Sequence, residues 1–338
     1  MTDNNQWLLQ VSNLRKYFPV RRGVFGAASM TVKAVDSLNF NILRGETLGL
    51  VGESGSGKTT AGRVILRAIE PTAGKVSFQV KGGDIVDFTA LKRRDLRSFR
   101  IHAQMIFQDP YSSLSPRMTV RDIIAEPLVV SKNTKRTEID ERVRDVALRC
   151  HLNIEHLRRY PHAFSGGQRQ RIGIARALIL NPEFIICDEP VSALDVSIQA
   201  QVLNLLKELQ SEFKLTYLFI AHDLSVVKHI SDRVAVMYLG RLVELAPTET
   251  LFHAPMHPYT EALMSAIPVA DPDKPMQPVV LEGEIPNPAD PPSGCHFHPR
   301  CLYAEEQCRI EVPEWIESRP NHFIACHLAD KLHLDGVG

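Results

Sequence analysis

Short apolar runs bounded by polar or turn-forming residues recur along the chain and predict buried β-strands. The clearest are Leu48–Val51, Phe184–Cys187 and Thr216–Ala221. A run such as Phe184–Cys187, with Pro182 before it and Pro190 after it, is typical of a central strand in a parallel sheet. Helical spacing occurs between the strands, as in Thr137–Leu148, where apolar residues recur on one face. These elements are typical of an α/β protein.

Two regions depart from this pattern. The stretch Asp109–Phe164 has mainly helical patterning and predicts a helical lobe at about 109–165. Beyond the strand-like Arg241–Leu245 the chain becomes rich in proline, and 14 of its 22 prolines lie between Pro247 and Pro320. We therefore expect a core domain over residues 1–246 and a C-terminal, loop-rich extension over residues 247–338.

Composition excludes several classes of protein. The 338 residues are 44% hydrophobic and 23% charged, which is the globular average and excludes a disordered or fibrous chain. The longest apolar run, Val234–Leu239, is far shorter than the ~20 residues of a membrane span. Met1–Gln10 is polar and has no apolar core, so we expect no secretion signal and a cytosolic protein. The zero net charge conceals a basic N-terminal third and an acidic C-terminal part.

A glycine-rich loop follows the predicted strand Leu48–Val51 and precedes a helical stretch. Its residues are Gly52, Glu53, Ser54, Gly55, Ser56, Gly57, Lys58, Thr59 and Thr60. They match the G-x-x-x-x-G-K-[ST] phosphate loop, in the strand–loop–helix context that this motif requires. Backbone N–H groups and the helix N-terminus would face the phosphates of a nucleotide. Lys58 would bridge the phosphates and Thr59 would bind Mg²⁺.

Two acidic residues, Asp188 and Glu189, follow the predicted strand Phe184–Cys187. Functional groups of open α/β sheets lie at the carboxyl ends of the strands. Asp188 can bind Mg²⁺ there, and Glu189 can polarise an attacking water.

A second helix start lies at Ser165-Gly166-Gly167-Gln168, before the helical stretch Arg169–Leu180. Ser165 is a suitable N-cap residue. A helix N-terminus also attracts anions, which makes this a candidate second anion site. One chain does not need two such sites for one ATP, whereas a dimer that holds ATP between its subunits does.

The ordered series of motifs resembles the ATP-binding subunits of ABC transporters, and among them the ATPases of oligopeptide and dipeptide importers. The residues that carry the resemblance are Tyr17, Gly52–Thr60, Gln108, Phe164–Gln168, Phe184–Glu189, Ser192–Asp195 and His222. The resemblance covers about Leu8 to Cys326. It implies the P-loop NTPase fold of ABC ATPases, with a mostly parallel core sheet, an antiparallel β subdomain, the inserted helical lobe and the C-terminal extension.

The resemblance also implies a role for each matching residue. The implied catalytic residues are Lys58, Gln108, Glu189 and His222. The implied Mg²⁺ ligands are Thr59, Gln108 and Asp188. Tyr17 would stack on adenine, although an insertion at Arg21–Thr31 separates it from the next strand. The residues Ser165, Gly166, Gly167 and Gln168 would face ATP held by a second ATPase subunit, and Asp195 would couple the two sites. All the groups that hydrolysis needs are present, so we expect an active ATPase.

Four cysteines, Cys295, Cys301, Cys308 and Cys326, lie in the proline-rich extension after His257-Pro258-Tyr259-Thr260, a segment that resembles peptide-importer ATPases. In a cytosolic chain, four thiols suit zinc or an iron–sulfur cluster better than disulfides. Their spacings are wider than those of paired zinc ligands. The resemblance favours a four-iron four-sulfur cluster; free thiols that merely pack are the alternative.

The resemblance implies partners as well as chemistry. These are two membrane-spanning permease subunits, a paralogous ATPase subunit or a second copy of the chain, and indirectly an extracytoplasmic peptide-binding protein. The location would be peripheral, on the cytoplasmic face of the bacterial inner membrane. We expect no nucleic-acid partner, because Thr60–Ser165 contains no sustained heptads of the kind that DNA-repair relatives insert. Import of nickel or another small solute, and a regulatory role outside transport, remain alternatives.

Overall fold

The computed structural model describes residues 7–21, 28–80, 83–131, 135–267, 279 and 281–337. The strands there are β1 (Trp7–Arg21), β2 (Ala28–Leu43), β3 (Thr47–Val51), β4 (Ala73–Gln79), β5 (Ile85–Asp87), β6 (Ala103–Ile106), β7 (Phe184–Asp188), β8 (Thr216–Ile220), β9 (Arg233–Tyr238), β10 (Arg241–Pro247), β11 (Ile316–Arg319) and β12 (His322–Ile324). Parts of the predicted polar N-terminal segment and of the Arg21–Thr31 insertion lie outside the described residues.

The α-helices in the described residues are α1 (Lys58–Ile65), α2 (Arg93–Phe99), α3 (Pro110–Ser113), α4 (Val120–Ser131), α5 (Arg136–Arg149), α6 (Gly166–Leu178), α7 (Val196–Phe213), α8 (Leu224–Ile230), α9 (Thr248–His253), α10 (Pro258–Ser265) and α11 (Glu306–Ile310). None of these helices has both the length and the apolar character of a membrane span. The chain forms two compact units. The first unit comprises Met1–Leu8, Ile42–Glu46 and Ala90–Ile220, and the second comprises Leu9–Asn41, Thr47–Thr89 and Ala221–Gly338.

The first unit contains the parallel strands β6, β7 and β8, with β7 in the middle. Met105 pairs with Ile186, and Ile186 with Leu218. Every residue of β7 and β8 is buried, which explains why both appear in the sequence as continuous apolar runs. The predicted central strand at Phe184–Cys187 is therefore confirmed.

Helices and short 3-10 turns are the regular elements of the described residues between 110 and 163 of the first unit, where the helical lobe is predicted. The predicted apolar face of α5 is buried and consists of Ile139, Val143, Val146 and Ala147. α6 begins at a complete capping box, in which the Ser165 hydroxyl accepts from the Gln168 N–H and the Gln168 side chain accepts from the Ser165 N–H. This arrangement satisfies two N–H groups that a helix start leaves unpaired.

The second unit contains two sheets. One has the order β2-β1-β4-β5, with antiparallel pairing of β1 to β4 and of β4 to β5. In the second sheet, the strands of this unit have the order β11-β12-β10-β9-β3. β3 and β9 are parallel, and the other neighbouring pairs are antiparallel. The mixed α/β architecture with an antiparallel β subdomain agrees with the predicted fold class.

The C-terminal extension contributes strands that its composition does not predict. β11 and β12 form a short hairpin, and β12 pairs with β10 through Glu244 opposite Ile324. The rest of residues 281–337 consists mainly of irregular segments and turns, with two short helical turns. The extension is therefore loop-rich, as predicted, but its hairpin belongs to the sheet.

Candidate functional site

The glycine-rich loop of residues 52–60 joins β3 to α1 in the second unit. Gly57 has a φ of 105°, and a Cβ atom there would lie 2.1 Å from the backbone oxygen of Ala34. Gly52 has a φ of 150°, and a Cβ there would lie 2.1 Å from the backbone oxygen of Met237. Only glycine fits both positions, because the loop passes directly against neighbouring backbone.

Lys58 lies inside this loop with 5% of its surface exposed. Its ammonium group donates to the carbonyl oxygen of Gly52 over 2.6 Å and to that of Glu53 over 2.9 Å. The loop thus holds a positive charge beside the start of α1, where the helix N-terminus is also positive. Phosphate binding by this loop stays a prediction. Thr59 and Thr60 follow in the first turn of the same helix.

The two predicted carboxylates lie at the end of β7 in the first unit. Asp188 is buried, with 1% exposure, whereas Glu189 is half-buried and has a positive φ of 44°. The Glu189 N–H donates to the carbonyl oxygen of Ile220, at the end of β8, over 2.9 Å. This bond holds the backbone of Glu189 in its unusual conformation. The Gln108 side-chain amide donates to a Glu189 carboxylate oxygen at 2.8 Å. The structure therefore brings together Gln108 and Glu189, which are both among the catalytic residues that the resemblance implies.

The Ser165–Gln168 segment and Asp195 also lie in the first unit. A Cβ on Gly167 would meet a methyl group of Ile198 at 2.4 Å, so glycine is required for the close approach of α6 and α7. Asp195 caps α7, because its carboxylate accepts from the Ile198 N–H at 3.0 Å. Both helix starts have well-defined geometry; their predicted contacts to a second subunit remain predictions.

Tyr17 and His222 belong to the second unit. The Tyr17 hydroxyl donates to Asp36 at 2.5 Å, and Arg241 holds the same carboxylate at 2.6 Å. Burial, reinforced by the bond to Asp36, raises the pKa of Tyr17 to about 12. His222 follows β8 and is exposed. Adenine stacking by Tyr17 and phosphate contact by His222 stay predictions.

Arg300 and Tyr259 contact the phosphate loop, and the sequence did not predict either contact. The Arg300 guanidinium binds both carboxylate oxygens of Glu53, at 2.7 and 3.0 Å, and the Glu53 N–H donates to the Tyr259 hydroxyl at 2.8 Å. No local pattern reveals such contacts, because 247 residues separate Glu53 from Arg300. The match of residues 257–260 to peptide-importer ATPases is the one signal that marked Tyr259.

The four cysteines of the extension are all free thiols. Burial raises the pKa of Cys301 to about 11 and that of Cys326 to about 12. The thiol of Cys308 also interacts electrostatically with those of Cys295, Cys301 and Cys326. The Leu328 N–H donates to the sulfur of Cys326 at 3.4 Å. Backbone N–H groups near the sulfurs of Cys295 and Cys301 oppose part of the rise in pKa that burial causes in these thiols.

The predicted metal site at these cysteines is not confirmed by the structure. Within the described residues, no group of three or more His, Cys, Asp or Glu side chains is arranged to hold a metal ion. The nearby histidines have other partners: His322 bonds Glu244 at 2.7 Å, and His327 bonds the carbonyl of Glu311 at 2.9 Å.

Comparison with known families matches two parts of the chain. Residues 35–192 match the model described as ABC transporter, and residues 243–308 match the one described as oligopeptide/dipeptide transporter, C-terminal region. The oligopeptide transport ATP-binding protein AppF of Bacillus subtilis is 54% identical over 96% of this chain and 98% of its own. A Brucella ovis protein named for peptide import and ATP binding is 53% identical over 94% of this chain and 97% of its own.

Solved structures resemble the chain as well. The dimeric ATP-binding cassette MJ0796, in a post-hydrolysis state bound to ADP and Pi, superposes with a TM-score of 0.61 at 26% identity, over 71% of this chain and 99% of the other. CbiO1 of Clostridium perfringens, part of the ABC transporter complex cbiONQ, gives a TM-score of 0.60 at 26% identity, over 73% of this chain and 90% of the other.

Proposed function

Because the chain belongs to the ATP-binding proteins of ABC transporters, in their oligopeptide/dipeptide group, we propose that it hydrolyses ATP to power the import of oligopeptides or dipeptides. The observation that carries the proposal is the phosphate loop with Lys58 enclosed in it. The names of the relatives supply the cargo class.

The proposed mechanism depends on positioning and on charge. The N–H groups of residues 52–60 and the Lys58 ammonium would neutralise the β- and γ-phosphates. Glu189 would accept a hydrogen bond from the attacking water and polarise it, in an orientation that Gln108 supports. His222 would contact the γ-phosphate. The Ser165–Gln168 segment would face the ATP of a second ATPase subunit.

We propose that the chain binds Mg²⁺ through oxygen-donating side chains. Oxygen donors are the ligands that Mg²⁺ prefers, and Thr59, Gln108 and the buried Asp188 carboxylate supply them. When bound, the ion would neutralise charge on the phosphate oxygens. Asp188 lies at the carboxyl end of a fully buried strand, which leaves its side chain little freedom to move.

Hydrolysis is tested by measuring phosphate release from Mg–ATP by the purified full-length chain. We expect turnover that Lys58→Ala abolishes, since this substitution removes the enclosed ammonium. A wild-type chain that neither binds nor hydrolyses ATP would overturn the proposal.

We further propose that the chain acts at the cytoplasmic face of the bacterial inner membrane, with two permease subunits and a paralogous ATPase subunit. The cargo would arrive from an extracytoplasmic peptide-binding protein. Reconstitution of the complex in proteoliposomes tests this directly, with uptake of labelled dipeptides and oligopeptides as the readout. Uptake of nickel in place of peptides would move the cargo to the alternative class.

The cysteine quartet is proposed to hold a four-iron four-sulfur cluster, with zinc as the alternative. The support is the set of four neighbouring thiols and the Leu328 N–H that donates to the sulfur of Cys326, because such a bond stabilises a thiolate ligand. Cys295, Cys301, Cys308 and Cys326 would hold the cluster through their sulfurs. Iron and acid-labile sulfide analysis of anaerobically purified protein tests the proposal, and the absence of both iron and zinc would rule it out.

A further inference from the structure

Glu53 of the phosphate loop is held at three points. Its carbonyl accepts from the Lys58 ammonium, its N–H donates to the Tyr259 hydroxyl, and its carboxylate binds the Arg300 guanidinium. The first contact lies within the loop, and the other two come from the C-terminal part of the chain. The residue that orients Lys58 is thus fixed from outside the phosphate-loop motif.

The contact with Arg300 has the geometry of a strong ion pair. Two parallel N–H···O bonds join the groups, at 2.7 and 3.0 Å, and 7% of the Arg300 side chain is exposed. Charge-assisted, bidentate bonds are about twice as strong as neutral ones, and exclusion of water strengthens them further. Tyr238 also faces the guanidinium, with its ring centre 6.0 Å away.

The contact with Tyr259 comes from a fully buried side chain. Tyr259 packs against Tyr238 and Phe297, with ring centres 4.7 and 5.3 Å away, so the hydroxyl has a fixed position. The Tyr259 N–H donates to His257 at the start of α10. Glu244 of β10 accepts from the N–H of His257 in turn, which anchors the helix start to the sheet.

We propose that Arg300 and Tyr259 are positioning residues for ATP: they hold the phosphate loop, through Glu53, in the conformation that binds phosphates. The inference rests on the proposed ATPase function and deepens it. Both residues lie in the C-terminal part of the chain, and Arg300 directly precedes Cys301. The extension therefore takes part in nucleotide binding without touching the nucleotide.

A purely structural role for the same contacts predicts a different outcome. Loss of fold stability lowers the amount of active protein and leaves the affinity of the remaining molecules unchanged. Loss of loop positioning weakens the binding of the nucleotide in the ground state and in the transition state alike, which raises KM and changes kcat little. The dissociation constant of Mg–ATP and the split between KM and kcat separate the two roles.

The experiment compares full-length variants by equilibrium titration with Mg–ATP and by steady-state hydrolysis. For Arg300→Met we expect a dissociation constant and a KM raised about tenfold or more, with kcat within about threefold of wild type. Arg300→Lys keeps the positive charge but cannot form both hydrogen bonds of the guanidinium, so its dissociation constant and KM should lie between those of wild type and Arg300→Met. Arg309→Met, an exposed arginine of the same segment, is the matched control and should behave as wild type.

Tyr259→Phe provides a second and milder variant, in case Arg300→Met fails to fold. It keeps the buried ring and removes one hydroxyl, and we expect the dissociation constant to rise about three- to tenfold. Unchanged Mg–ATP affinity in folded Tyr259→Phe and Arg300→Lys, or in folded Arg300→Met, would overturn the inference alone. Failure of the wild-type chain to bind Mg–ATP would overturn the proposed function and the inference with it.

Discussion

The side-chain amide of Gln108 donates to the carboxylate of Glu189 over 2.8 Å, and 81 residues of sequence separate the two. Gln108 follows β6 and Glu189 directly follows β7, and these two strands are parallel neighbours. The carboxyl ends of such strands meet at one edge of the sheet. The pair therefore links the proposed base for water to the residue directly before the predicted helical lobe.

Glu189→Gln should keep ATP binding and lose turnover. The amide that replaces the carboxylate has nearly the same shape, but it cannot take a proton from water. We expect hydrolysis to fall by about 10²-fold or more, with phosphate release as the measurement. Glu138→Gln, at an exposed position of α5, is the control. Wild-type hydrolysis in Glu189→Gln would remove this residue from catalysis.

Gly57→Ala should abolish nucleotide binding, because the added methyl would overlap the backbone of Ala34. Gly55 also has a positive φ, of 80°, but a Cβ there meets nothing within 4 Å. Gly55→Ala should therefore cost about 1–2 kcal/mol of backbone strain alone and bind ATP more weakly than wild type but measurably. Titration with Mg–ATP compares the two, and equal affinities would contradict the steric explanation.

Ser165→Ala should destabilise the first unit by about 1 kcal/mol through loss of the cap of α6. Ser165→Thr keeps a hydroxyl at the same position and should retain most of the stability. Urea unfolding of the full-length chain measures both. The capping explanation fails if the alanine and threonine variants have the same midpoint.

Stability should decrease in acid because of His257. Burial lowers the pKa of this histidine from 6.5 to about 3, so the folded protein holds it neutral. Between these values the unfolded chain binds the extra proton, and stability is lost as the pH falls, by up to about 1.4 kcal/mol per pH unit. His296, whose pKa burial lowers to about 4, adds to the same trend.

His257→Asn isolates this contribution. Asparagine still offers an acceptor to the Tyr259 N–H but does not titrate. Urea midpoints at pH 7.5 and pH 5 should therefore differ less in this variant than in wild type. His253→Asn, at an exposed histidine of α9, should leave the pH dependence unchanged. An unaltered pH dependence in His257→Asn would exclude His257 as its source.

Features encoded by contiguous residues could be predicted from the sequence. The buried strands β3, β7 and β8 follow from their apolar runs, and the start of α6 follows from Ser165 and the glycines after it. The phosphate loop belongs to the same class, because its glycines, lysine and threonine are adjacent in the chain.

Features that depend on distant partners could not be predicted. β11 and β12 are short and partly polar; β12 becomes a strand because β10 offers it an edge, and β11 then pairs with β12. The Tyr17 hydroxyl bonds Asp36, which Arg241 holds from a third strand. Such contacts depend on the assembled fold and leave no periodic trace in the sequence.

The distance in sequence between the phosphate loop and its supports has a consequence for synthesis. Glu53 precedes Tyr259 by 206 residues and Arg300 by 247. At about 5–20 residues per second, the ribosome completes the loop roughly 10–50 s before it adds Arg300. A nascent chain that stops in this interval carries the whole phosphate-loop motif without the ion pair at Glu53. The loop reaches its final set of contacts only after Arg300 has been synthesised.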